Sequence, residues 1–216
     1  MRAKQQLQSI EEWDTPMKVA VYRGNSLFLW FIAIVVVVIW MLTGRPLELL
    51  GFQPPLADSW PTIGWVTLVF LLAYGVDVGT DLLSKKTIDK AKKHLYKYTP
   101  FIPATSYEMR QFLLVAVTAG ICEEIIFRGF FITYFLSLFG DNPQGQIIAL
   151  VVPTILFSLA HYYQGWKAIG KIALLSLAFG YIFLVSRSLW VPIVLHILVD
   201  WWSGLAGKYI VNYQDQ

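Results

Sequence analysis

Long apolar runs alternate with short polar stretches six times along this chain. They cover about residues 26–43, 63–83, 112–138, 147–163, 168–186 and 189–206. Each is long enough, or nearly so, to cross a hydrocarbon core of about 30 Å as a helix. The pattern predicts an all-α polytopic membrane protein of about six spans, the last two joined by a short turn containing Arg187. One polar stretch has its own periodicity. Between Ser84 and Tyr98, the apolar positions Ile88, Ala91, Leu95 and Tyr98 recur at helical spacing, and lysines fill the other face. That is the pattern of a helix lying on an anionic inner leaflet. A nucleic-acid patch is the rival reading of the same lysines, and the flanking membrane spans argue against it. His94, among these lysines, is read as solvated. Pro100 and Pro103 close the segment, and Thr105-x-x-Glu108 forms a capping box that starts the third spanning helix below the membrane surface. The loop over residues 44–59 shows only proline-rich turn chemistry.

Composition agrees with the pattern. The chain is 56% hydrophobic and 14% charged, with nine tryptophans, far from the balance of a soluble domain. Its 216 residues are read as one membrane domain: residues 1–109 hold a tail, two spans and the basic loop, and residues 110–206 the polar core. The single cysteine, Cys122, leaves no internal disulfide and no cysteine-rich metal site; it reads as a small helix-packing residue. Glu11, Glu12 and Asp14 in the first 25 residues speak against a secretory signal, so the first run is expected to be retained. Of the 17 Lys and Arg, fourteen fall in the N-terminal tail (Arg2, Lys4, Lys18 and Arg23), the basic loop, the segment holding Lys167 and Lys171, and the C-terminal tail. Only Arg45 and Arg187 fall on the opposite side. Both termini are therefore expected in the cytoplasm of a multi-pass cell-membrane protein.

Against this apolar background, a few polar groups stand out. Residues 112–138 carry only Glu123, Glu124 and Arg128 as charges. A charged side chain at the bilayer centre costs about 2.5–3.5 kcal/mol on translocon scales, so three in one helix need partners or a purpose. Glu124 and Arg128 are four apart and share a face as an ion pair, whereas Glu123 is rotated about 100° away and has no cation within a turn. Arg128 is thus expected to hold Glu124 and leave Glu123 to face another helix. His161 ends the pattern Phe157-x-x-x-His161. In His196-x-x-x-Asp200, the acid lies on the histidine's own face, where it can fix the imidazole tautomer or join it as a metal ligand. Counted along their helices, Glu123 and His196 come out roughly 15 Å from the cytoplasmic edge and His161 about 10 Å. The groups can therefore converge in the inner half of the membrane.

Taken in order, Glu123-Glu124-x-x-x-Arg128, Phe157-x-x-x-His161 and His196-x-x-x-Asp200 resemble the motifs of the CAAX-type prenyl protease and bacteriocin-processing intramembrane proteases, also called the Abi family. The likeness covers about residues 110–206. Asp200 stands where that family often has Asn. The resemblance implies an intramembrane endopeptidase in which Glu123 activates water and Glu124, Arg128, His161, His196 and Asp200 complete the site. Zinc held by His161, His196 and Glu123 would polarise the carbonyl and acidify the water. Glu123 and the imidazoles can also be imagined working without a metal, and the sequence leaves both routes open.

The expected activity is hydrolysis of peptide bonds in membrane-associated or lipidated substrates at the inner leaflet. The expected partners are a peptide or membrane-protein substrate and the lipid bilayer, with no nucleic acid. A non-catalytic immunity or binding protein of the same fold is the alternative. A proton-coupled transporter ranks below it, because only Pro153 and Pro192 interrupt spans and no inverted repeat is evident.

Overall fold

A computed structural model describes residues 13–213; the expectations for Arg2, Lys4, Glu11 and Glu12 fall outside them. The described residues form helices, tight helical turns and connecting loops, with no strand among them. Among the described residues, five helices are long and apolar enough to cross a membrane. The protein is a polytopic, all-helical membrane protein.

Helix α1 runs from Thr15 to Leu42, beginning well before the first apolar run because Asp14 caps it through Met17 N (2.8 Å) and Pro16 fits its first turn. Its buried stripe is Lys18, Val19, Tyr22, Ala33 and Trp40, while Leu27 and Phe31 on the other side are 72% and 66% exposed. Such exposure of large apolar side chains suits a lipid-facing surface. Two short 3₁₀ turns (Leu47–Leu50 and Ala57–Ser59) lead to α2, Trp60–Leu82. Only Ile63 of α2 is buried, and Phe70 meets the ring of Phe179 edge-on at 5.3 Å.

The amphipathic segment forms α3, Lys85–Tyr98, capped reciprocally by Ser84 and Thr87. Its apolar side is partly covered by protein, with Ala91, Leu95 and Tyr98 half-buried. Ile88 is buried, the helix packs on α2 and on the final helix, and Lys92 Nζ donates to the Tyr213 carbonyl at 3.1 Å. His94 is half-buried against the Tyr98 ring (4.7 Å) and is not simply solvated.

Residues 106–139 form one unbroken helical rod in three parts. These are α4 (Ser106–Glu124), a π-helical stretch (Ile125–Ile132) and α5 (Thr133–Phe139). The Thr105–Glu108 capping box is present, and Glu108 does more than cap. It is 3% exposed, accepts from Thr15 Oγ1 (2.6 Å), Lys18 Nζ (3.2 Å) and Ala104 N (2.7 Å), and so fastens α1 to the foot of α4. Burial alone would raise its carboxyl pKa; the Ala104 N–H, the Thr15 hydroxyl and Lys18 outweigh it and hold the group below its ordinary range.

After a tight turn come α6 (Pro143–Ala160), α7 (Trp166–Ser186) and α8 (Trp190–Asn212). Helix α6 ends three residues before the apolar run does, so His161 stands just past its last turn and not inside it. Arg187 ends α7 in the left-handed region (φ 55°), an uncommon place for a non-glycine residue. Gln53 Nε2 donates to its carbonyl (3.1 Å), and its guanidinium pairs with Asp141 at 2.5 Å.

Helices α4 and α8 run antiparallel at close range. A Cβ on Gly120 would lie 2.5 Å from Ile197 Cγ1, and one on Gly204 would lie 2.6 Å from the Phe112 ring. Small residues at such crossings let backbones approach closely enough for side chains further along to meet. The loops also sort by end. The 44–59 loop joins the α7–α8 turn through Leu189 N to Gly51 O, beside Arg187. At the other end, Tyr22 donates to the Phe101 carbonyl, Lys18 to that of Ile102 and Asn212 to that of Ala104, among the lysine-rich segments.

Candidate active site

The polar groups of four helical segments meet where α4 gives way to the π stretch. Glu124 is the last residue of α4, and its Oε1 receives two donors. Arg128 Nη1 lies at 2.8 Å, and His196 Nδ1, from α8, at 2.7 Å. The i, i+4 pairing read from sequence is therefore present, but Glu124 does more than balance Arg128. It is the acceptor that orients His196. The expectation that Asp200 fixes this imidazole is corrected. Nδ1 is already engaged by Glu124, and Asp200 Oδ2 approaches the other nitrogen, Nε2, at 3.7 Å. One helical turn places an acid on the histidine's face without deciding which ring nitrogen it meets.

Glu123 faces outward from this pair, as its rotation on the helix predicts. Its Oε2 lies 3.7 Å from His196 Nε2 and 4.0 Å from His161 Nε2, and finds no hydrogen-bond partner in the protein. His161 reaches it from beyond the end of α6, with its ring steadied by Nδ1 donating to the Phe157 carbonyl (2.8 Å) and by the Phe157 ring at 4.5 Å. Thus all six residues singled out in the sequence converge, in two layers. Glu124, Arg128 and His196 are sealed, their side chains 0%, 1% and 5% exposed. Glu123, His161 and Asp200 are at 14%, 17% and 32%, forming the more open face, although the Glu123 Oε2 atom is itself buried.

Arg128 has partners that the sequence reading missed. Its Nη2 donates to Ser176 Oγ (3.1 Å) and to the Ser176 carbonyl (3.4 Å) on α7. The guanidinium carbon lies 4.7 Å from the centre of the Phe157 ring and 5.7 Å from that of Phe179. Ser176 in turn donates to Thr154 on α6 at 3.3 Å. Small hydroxyls inside apolar runs were the available signal; unpaired, they would be costly in such surroundings. A π stretch beside the site was not visible in the apolar pattern, although such stretches often mark functional positions.

Both imidazoles give Nδ1–H to an oxygen and turn Nε2 toward carboxylates. When neutral, each presents a lone pair there, so the face consists of acceptors and calls for a cation or protons. Zinc ligated at 2.0–2.2 Å in a tetrahedron holds its ligand atoms about 3.3–3.6 Å apart. The spacings here are wider at 3.7–4.0 Å, and no group of three or more His, Cys, Asp and Glu among the described residues is set to hold a metal ion. As they stand, His196 and His161 lie slightly further from Glu123 than a zinc tetrahedron would hold them.

Residues 105–202 match the family described as type II CAAX prenyl endopeptidase Rce1-like, from the cap of α4 to just beyond Asp200. No curated protein and no solved structure matches the chain.

Proposed function

We propose, from the match of residues 105–202 to the type II CAAX prenyl endopeptidase Rce1-like family, that the chain is an intramembrane endopeptidase of that family. Its substrates are membrane-associated or lipidated peptides, cut from the cytoplasmic side at inner-leaflet depth. The observation that carries the reading is the Glu123 carboxylate, with its free Oε2 turned toward the Nε2 atoms of His161 and His196.

Glu123 is the base. It takes a proton from a water molecule as the hydroxyl oxygen bonds to the scissile carbonyl carbon. The carbonyl oxygen becomes an oxyanion, and an imidazole carrying its second proton offers Nε2–H to it. Only the doubly protonated ring can do so, because each Nδ1–H is already committed, to Glu124 or to the Phe157 carbonyl. Asp200 supplies the compensating negative charge beside His196. Glu123 then passes its proton to the amide nitrogen, the C–N bond breaks, and a carboxylic acid and an amine leave. Glu124 and Arg128 keep His196 in register throughout.

The test is cleavage of membrane-anchored peptides, prenylated and unprenylated, by purified protein. Glu123→Gln should lower the rate by about 10²–10⁴-fold, the usual contribution of a general base, with folding retained. A variant within tenfold of wild type would remove Glu123 as base, and failure of wild type to cut any peptide would favour the non-catalytic alternative. A chelator should leave the rate unchanged. Loss of activity restored by added zinc would instead establish a metal route.

A further inference from the structure

A hydrogen-bonded chain runs from the catalytic face back through the bundle, and its far end has no part in the chemistry above. It starts at Thr154 on α6, passes through Ser176 on α7 and Arg128 in the π stretch to Glu124 on α4, and ends at His196 Nδ1 on α8. We propose that Ser176 is a positioning residue of the active site: it fixes the Arg128 guanidinium and, through Glu124, the tautomer and aim of His196. The inference rests on the endopeptidase reading for its kinetic consequences, but not for its structural ones.

Three observations support it. First, the Arg128 fork is divided between two helices, with Nη1 on Glu124 and Nη2 on Ser176. A planar guanidinium held at both ends has little freedom left, and the Phe157 and Phe179 rings close its faces. Second, Glu124 takes both of its bonds on Oε1, while its buried Oε2 has no partner. The carboxylate is thus tied to the protein only by Arg128 and His196, and a guanidinium that swings away would let it turn and release the imidazole. Third, position 176 requires a hydroxyl. Ser176 Oγ donates to Thr154 Oγ1 while accepting from Arg128, and Ser176 is 2% exposed, so water is no ready substitute. Its carbonyl is the weaker second acceptor at 3.4 Å. Arg128 would therefore remain partly paired without the hydroxyl, so the fold should survive while the aim of the group is lost.

Ser176→Ala should lower kcat about 10–100-fold, as loss of groups supporting a functional side chain does, with KM changed less than about twofold. Ser176→Thr, which restores the hydroxyl, should recover most of the rate. A purely packing role would not reach His196, so the deciding measurement is ¹⁵N NMR of labelled histidines. Wild type should show His196 protonated at Nδ1, and Ser176→Ala should show that signal shifted or mixed with the other tautomer. Thr154→Val, which breaks the same chain one link further back, should move it in the same direction by less, and serves should Ser176→Ala fail to fold. An unchanged His196 signal in whichever of these variants folds would overturn the proposal, whatever happens to the rate. Because the NMR measurement needs no substrate, it stands even if wild type cleaves nothing, an outcome that would count against the endopeptidase reading alone.

Discussion

At the residue scale, the two buried ion pairs answer to different measurements. Glu108 is held below its ordinary carboxyl range in the folded protein. A carboxyl depressed on folding stabilises the native state above its unfolded value, near 4.5, and that contribution disappears as pH falls through the folded value. Thermal denaturation should therefore show stability falling as the pH drops below about 4.5, and Glu108→Gln should flatten that acid slope. Arg128→Ala, by contrast, strands Glu124 and should cost about 3–5 kcal/mol. Adding Glu124→Ala should recover part of the stability but none of the activity, since His196 then lacks its Nδ1 acceptor. A double variant no more stable than the single would break the pairing. Much of this was legible in the sequence. Spacing gave Glu124–Arg128 and the rotation of Glu123, because both are properties of one helix. The Glu124–His196 bond spans 72 residues, so it depends on how two helices cross, and no local pattern encodes that. The capping role of Glu108 was readable for the same reason; its hold on Lys18 was not.

At the scale of elements, the site depends on how closely α4 and α8 approach. Gly120 sits one turn before Glu124 and leaves no room for a methyl group beside Ile197, whose backbone nitrogen would lie 3.1 Å from a Cβ there. Gly120→Ala should cost about 1–3 kcal/mol by overpacking and loosen the Glu124–His196 contact, with a fall in both Tm and rate. Gly64→Ala on α2, where a Cβ meets nothing within 4 Å, should be neutral or stabilising by up to about 1 kcal/mol. Equal effects at the two positions would remove close approach as the reason for the glycine at 120. The apolar runs placed these helices well, because lipid and core both demand apolar surface. They misjudged the ends. Helix α1 extends below its run on the strength of a cap, and α6 stops short of His161.

On the scale of the whole molecule, the described lysines Lys18, Lys92 and Lys208 bond to groups at one end of the bundle, and Arg45 and Arg187 lie at the other. Reporter fusions within residues 85–97 and at the C-terminus should both report cytoplasm, and fusions within residues 44–59 the opposite face. A reporter placing residues 85–97 outside would overturn the direction of access to Glu123. The charge asymmetry was legible because it is additive along the chain, whereas the division of the site into sealed and accessible layers emerges only once the helices pack. No residue of the site comes from α1 or α2. What those helices supply is an oily surface, the Tyr74 hydroxyl on Val199 and Ser203 of α8 and, at the foot of α1, a grip on Glu108. Over evolutionary time they are therefore free to exchange one large apolar residue for another, and in divergent relatives they should drift beyond recognition while the stretch from the Thr105 cap to Asp200 keeps its letters.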